Sequence, residues 1–185
     1  WSEVPRERHK EVLADVATLI WVVFWGRLAC QVYSVIPGFA DCHTHTVFAE
    51  YRLDEYEWRV AGTPYADIAA RGGGIAKSVR HVRSTAEGVL LERTRKRVHS
   101  AMRHGTTTIE IKSGYGLSLE GELKMLRVIR RLKETKLVPI KASFLAAHAY
   151  PVEYKQDHEG YLKQIIDVIL PRVAGEGLAD YMDVF

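Results

Sequence analysis

Hydrophobic positions change period along the chain, and the change divides it. After a charged opening, "EVPRERHKE", Val12, Val16, Leu19, Ile20 and Val23 recur at helical spacing, so residues 1–34 predict a helical segment. From Val35 to Phe185, short apolar runs alternate with amphipathic stretches, and this part predicts a single α/β domain. Its first strand is expected over Ile36–Thr44, followed by an irregular acidic stretch. "GTPYADIAARGGG" predicts a short helix, with Thr63 as N-cap, Pro64 in the first position and glycines closing it. The next helix is expected to open on a capping box, Ser84 to Glu87, and to stop at Gly105.

The β-branched run Thr106–Ile111 predicts a strand, leading into the loop "KSGYG". A helix over about Ser118–Thr135 turns Leu119, Leu123, Leu126, Ile129 and Leu132 inward. "VPIKASFLAAHA" is a further strand; a helix over Tyr161–Ala174 is bent or broken at Pro171, and "DYMDVF" starts one more strand. Such alternation calls for a parallel sheet with helical crossovers, as in a (β/α) barrel or a doubly wound sheet. The chain has 185 residues. A closed eight-stranded barrel takes roughly 250 residues, so a fragment is expected.

Composition changes little in this picture. The chain is 47% hydrophobic and 26% charged, the balance of a soluble globular domain. A net charge of +3 is slight, and the basic runs "ERTRKRVHSAMRHG" and "RVIRRLKETK" fall on predicted helices, where a solvated face accounts for them; no nucleic-acid partner is expected. Cys30 and Cys42 form no disulfide framework or CxxC motif, and Cys42 is expected to be a small buried hydrophobe. The longest apolar run, Val16–Trp25, is shorter than the roughly 18–20 residues of a membrane span and lacks the flanks of a signal peptide. A cytoplasmic location without membrane contact is the expectation.

Candidate chemistry collects at predicted strand ends. In a strand, alternate side chains share a face, so His43 and His45 in "DCHTH" point the same way, together with Asp41. Two neutral imidazoles so placed suit a borderline metal such as zinc, although an isolated HxH is also explained by a hydrogen-bonded core histidine. His148 ends a second apolar strand, and Tyr115 sits in the glycine-flanked loop after a third. Strands of a parallel α/β fold bind ligands at that end, so the convergence favours an enzymatic site. Arg52 lies in "AEYRLDEYEWR", where a surface ion pair explains it equally well. The glycines at 72–74 close a helix and lack the P-loop pattern.

"PGFADCHTHTVFA", "AGTPYADIAARGGGI", "GTTTIEIKSGYGLSLEGELKMLRV" and "FLAAHAYPVEY" closely resemble the imidazolonepropionase family of the amidohydrolase superfamily, from about Val35 to Phe185. The resemblance implies about the first half of a TIM-like (β/α)8 metal-dependent hydrolase barrel, preceded by an atypical N-terminal segment that does not match the family's small β-sandwich. It implies hydrolysis of the cyclic amide bond of 4-imidazolone-5-propanoate to N-formimidoyl-L-glutamate, in histidine catabolism. His43 and His45 match metal ligands, for one zinc or iron ion whose remaining ligands are expected beyond Phe185. Arg52, Tyr65, Tyr115 and His148 match substrate-binding residues, with His148 also catalytic. The resemblance allows a homodimer in the full-length enzyme, and the 185-residue chain alone is expected to be inactive. The alternatives are another amidohydrolase or deaminase, or a non-catalytic half-barrel.

Overall fold

The computed structural model describes residues 36–185. The predicted helix over residues 1–34 therefore lies outside the described residues, as does Cys30. Four parallel strands form one sheet in the order β1-β2-β3-β4: Phe39–Asp41, Thr106–Lys112, Ile140–Phe144 and Tyr181–Met182. Between β1 and β2 run α1 (Leu53–Val60), α2 (Tyr65–Ala70), α3 (Gly74–Ser84) and α4 (Glu87–Arg103). Helix α5 (Leu119–Glu134) joins β2 to β3, and α6 (His158–Gln164) and α7 (Leu170–Gly175) lead to β4.

The core lies between the sheet and its helices. Ile109 and Ile111 of β2 and Ala142 and Phe144 of β3 meet Leu123, Leu126, Ile129 and Leu132 of α5 in one buried cluster, as the inward periodicity of that helix required. The opposite, concave face of the sheet is polar, with Thr108, Glu110, Lys112, Lys141 and Ser143 around an open hollow of about 450 Å³. Strand order, parallel pairing and helical crossovers fit part of a (β/α) barrel. No helix among the described residues is long and apolar enough to cross a membrane.

Several local expectations are corrected. The first strand is shorter than Ile36–Thr44, because pairing with β2 in strand geometry ends at Asp41. The acidic stretch after it is helical: α1 carries Asp54 and Glu55 in its first turn, where the helix dipole favours them. Pro64, not Thr63, is the N-cap of α2. The glycines both close α2 and open α3, with Gly73 as the α3 N-cap and Gly74 its first residue at φ +64°. Ser84 makes no capping box; it ends α3 with its hydroxyl donating to the His81 carbonyl, and Ala86 is the N-cap of α4. Ser118 does cap α5, accepting from the Gly121 amide at 3.2 Å.

The last helical stretch is continuous through a π-helical segment, Ile165–Ile169. Pro171 lacks an amide to serve the preceding turn, and the widened segment absorbs that loss. Cys42 is exposed rather than buried, since it borders the open concave face.

Candidate active site

The segment bearing the two histidines is held by what it does between them. The Thr44 amide donates to Glu110 Oε2 at 3.2 Å, and its hydroxyl donates to the Glu110 carbonyl at 2.6 Å. The Thr44 carbonyl in turn accepts from the Lys112 amide at 2.9 Å. Binding Thr44 to β2 in this way brings His43 and His45 out together, their ring centroids 5.6 Å apart. Beyond them, Arg97 of α4 donates to the Thr46 and Phe48 carbonyls, at 3.1 and 2.8 Å, and lies over the Phe48 ring.

His45 is the centre of the cluster. Its ring stacks on His148 at 4.7 Å and on Tyr115 at 5.0 Å, so segments following β1, β2 and β3 meet at one rim. Burial pulls the His45 pKa down to about 4, helped by His148, His43 and Lys112 nearby, so the ring is neutral at pH 7. Its Nδ1 is buried with no hydrogen-bond partner. A neutral imidazole with a spare buried nitrogen, beside a second imidazole, fits the donor chemistry of a zinc or iron site. Among the described residues no group of three or more His, Cys, Asp or Glu is placed to hold a metal ion.

His148 lies in the 3-10 turn Ala146–His148 after β3, not within the strand. Its Nδ1 donates to the Gly114 carbonyl at 2.9 Å, which leaves Nε2 as the remaining ring nitrogen. Gly114 is at φ +99°, and a Cβ there would meet the Leu145 carbonyl oxygen at 2.8 Å and His148 Nδ1 at 3.0 Å. Burial raises the Tyr115 pKa while Arg52 opposes it, and Tyr115 remains a neutral phenol able to donate.

An open cleft of about 330 Å³ is bounded by His45, Phe48, Arg52, Ser78 and Tyr115. Arg52 thus joins the cluster, although Glu55 also holds it in an ion pair at 3.5 Å. Tyr65, at the start of α2, does not border that cleft; its hydroxyl lies against Gly74, where an added Cβ would come within 2.7 Å. A larger groove of about 660 Å³ is lined by Arg93, Lys96 and Arg97 of α4, and neither His43, His45 nor His148 borders it. Asp41 contributes only a long contact, its carboxylate 3.5 Å from the His43 amide.

Three supporting carboxylates were not singled out from the sequence. Glu110 binds Thr44 and Lys112, whose ammonium also reaches Asp183 at 2.8 Å; burial opposes the Lys112 charge, but these two carboxylates raise its pKa. Glu55 is buried and accepts from the Gly74 amide at 3.1 Å as well as pairing with Arg52. Glu122 is wholly buried beneath the "KSGYG" loop. A visible signal existed for Glu110: two charges two residues apart, flanking Ile111, in a strand that otherwise reads as core.

A rim of imidazoles, a phenol and a guanidinium at the carboxyl ends of parallel strands is the arrangement in which α/β folds bind and transform small ligands. Comparison with known proteins names the relatives. The chain is 52% identical over 151 residues to the imidazolonepropionase of Aeromonas hydrophila, covering 82% of this chain and 37% of that protein. It is 53% identical over 151 residues to that of Pseudomonas entomophila, with 82% and 38% covered. The enzyme of Aeromonas salmonicida is 48% identical over 165 residues, with 89% and 39% covered. By sequence, therefore, the chain is related to the imidazolonepropionases, and it spans less than two fifths of the length of these curated relatives. No family model matches the chain.

Proposed function

We propose that the protein carrying this chain hydrolyses the cyclic amide C–N bond of 4-imidazolone-5-propanoate to N-formimidoyl-L-glutamate, in histidine catabolism. The chain would supply about the first half of a (β/α)8 hydrolase barrel, residues 35–185, after a distinct segment 1–34. The observation that carries this reading is the meeting of His43, His45, Tyr115 and His148 at one rim, within a sequence about half identical to imidazolonepropionases.

In this reading His43 and His45 hold the metal, with further ligands coming from the part of the relatives' length that lies outside the matched region. A zinc or iron ion bound there would supply an acidified water for attack on the amide carbon. Arg52 binds the substrate carboxylate through charge-assisted hydrogen bonds, with Tyr115 donating beside it; Tyr65, which the resemblance also assigns to substrate binding, lies outside the cleft that these two border and would have to turn toward it. His148 lies against the ring carbonyl and steadies the developing negative charge. Since its Nδ1 is engaged by Gly114, it donates from Nε2 only as the imidazolium. A cytoplasmic location and a homodimeric full-length enzyme belong to the same proposal.

The test is turnover by the purified full-length protein, with metal content measured on the same sample. Ring opening of 4-imidazolone-5-propanoate with stoichiometric zinc or iron is expected. Turnover of guanine or dihydroorotate in its place would overturn the substrate assignment.

A further inference from the structure

The loop that presents Tyr115 is gripped from both sides by buried or half-buried charge. Glu122, in the first turn of α5, is 0% exposed. Its Oε1 accepts from the Gly116 amide at 2.9 Å and the Leu117 amide at 2.8 Å. Both of its carboxylate oxygens lie within reach of the Gly114 amide, at 3.2 and 3.1 Å. Beneath the same loop, the Ser113 hydroxyl oxygen accepts from the Leu145 amide at 2.9 Å.

From α3, Arg83 takes the carbonyls of the same loop: Gly116 at 2.7 Å and Leu117 at 2.8 Å. Glu153 pairs with the Arg83 guanidinium and completes its fork. Leu117 is held at φ +47°, a conformation a leucine does not choose unaided. The Gly114 carbonyl, next to the amide that Glu122 binds, receives His148 Nδ1.

A buried carboxylate is costly, and an isolated loop turn does not need one. Burial raises the Glu122 pKa, against the pull of its hydrogen-bond donors. What this carboxylate does is specific: it accepts from backbone amides on each side of Tyr115, and the carbonyl of Gly114, one of the residues so held, accepts from His148 Nδ1.

We infer that Glu122 is a positioning residue, which holds Tyr115 and His148 in register with the substrate through the amides of Gly114, Gly116 and Leu117. Arg83 is its counterpart on the carbonyl side. The substrate named here rests on the proposed function, but the clamp is a property of this chain and can be read without substrate.

The test uses the full-length protein and the Glu122→Gln variant. The amide side chain keeps the shape but turns an N–H₂ group toward backbone donors, leaving one of them unpaired. Expected results are a fall in kcat/KM on the order of 10- to 100-fold with bound metal unchanged, faster amide exchange confined to residues 113–117, and loss of the Nδ1–H signature of His148 in nitrogen NMR spectra. Wild-type kinetics and exchange would overturn the inference. So would a loss of activity matched by loss of metal and by faster exchange across the whole sheet, which marks a merely structural role. Should Glu122→Gln not fold, Arg83→Gln serves with the same readouts. It is expected to raise KM roughly 3- to 10-fold, the smaller effect of a half-exposed partner, and an unchanged KM and exchange pattern would overturn the inference. A wild-type protein that leaves imidazolone propionate untouched overturns the proposed function alone, and the exchange and NMR readouts then decide the clamp.

Discussion

The two margins of the candidate site are built differently. On the β2–β3 margin, Tyr115 and His148 stand on a buried network of Glu122, Ser113 and the Gly114 backbone. On the helical margin, Arg52 stands at the N-cap of a short surface helix, with buried Glu55 as its partner. Both present polar groups to the same region, yet the first is fixed by desolvated hydrogen bonds and the second by half-exposed ion pairs. Desolvated hydrogen bonds resist solvent competition, so in the proposed site the first margin is expected to set geometry and the second to adapt.

The largest expected effect lies on the rigid margin. Gly114→Ala places a methyl group against the Leu145 carbonyl and His148 Nδ1 at a positive φ. It is expected to destabilise the protein by about 1–3 kcal/mol and to lower kcat/KM on the order of 100-fold by displacing His148. Thermal melts and steady-state kinetics on the full-length protein check both numbers. An unimpaired variant would mean that this margin is as adaptable as the other.

On the helical margin the expected loss is in binding, not in stability. Arg52→Gln should raise KM on the order of tenfold, the worth of a charge-assisted hydrogen bond of about 1.5 kcal/mol. Its melting temperature should stay within a degree or two, since Arg52 is a half-exposed partner of Glu55. A large drop in melting temperature would show that Arg52 is structural and erase the contrast.

The smallest effect tests the rigid side away from the rim. Asp180 accepts from the Ala142 amide and from Lys133, both at 2.7 Å, and so fastens the approach to β4 onto β3. Burial opposes its ionisation, but these two donors outweigh burial and hold its pKa below 3.8. A carboxyl with a lowered folded-state pKa stabilises the fold fully above its ordinary pKa and loses that contribution as pH falls through the lowered value. Asp180→Asn should therefore cost about 1 kcal/mol near pH 7, and the gap from wild type should close as the pH falls below 3.8. Kinetics should not change. A gap that widened in acid would reverse the sign of the argument.

The same contrast separates what could be read in advance. The strand Thr106–Ile111, the α5 helix and its inward leucines were legible, because a strongly periodic apolar face leaves one way to bury it. The short helices α1 and α3 were not legible: their buried faces are small, and the glycines at 72–74 read as a stop although they are also a start. His43 and His45 were visible as a pair through spacing alone. Their meeting with His148 and Tyr115 was implied only by strand ends, which say which rim a residue occupies but not which ring it touches.

The sequence by itself determined the α/β alternation, the polar groups at the strand ends and the family these residues resemble, since local period and motif carry that information. Tertiary structure alone decided that Thr44 is bound by Glu110, that Arg52 shares a buried glutamate with α3, and that Glu122 gathers the amides around Tyr115. Each of these is a carboxylate satisfied by backbone or side-chain donors contributed by other segments of the fold. A chain read in one dimension shows such a group only as a charge, and its partners exist once packing has removed the water that would otherwise solvate it.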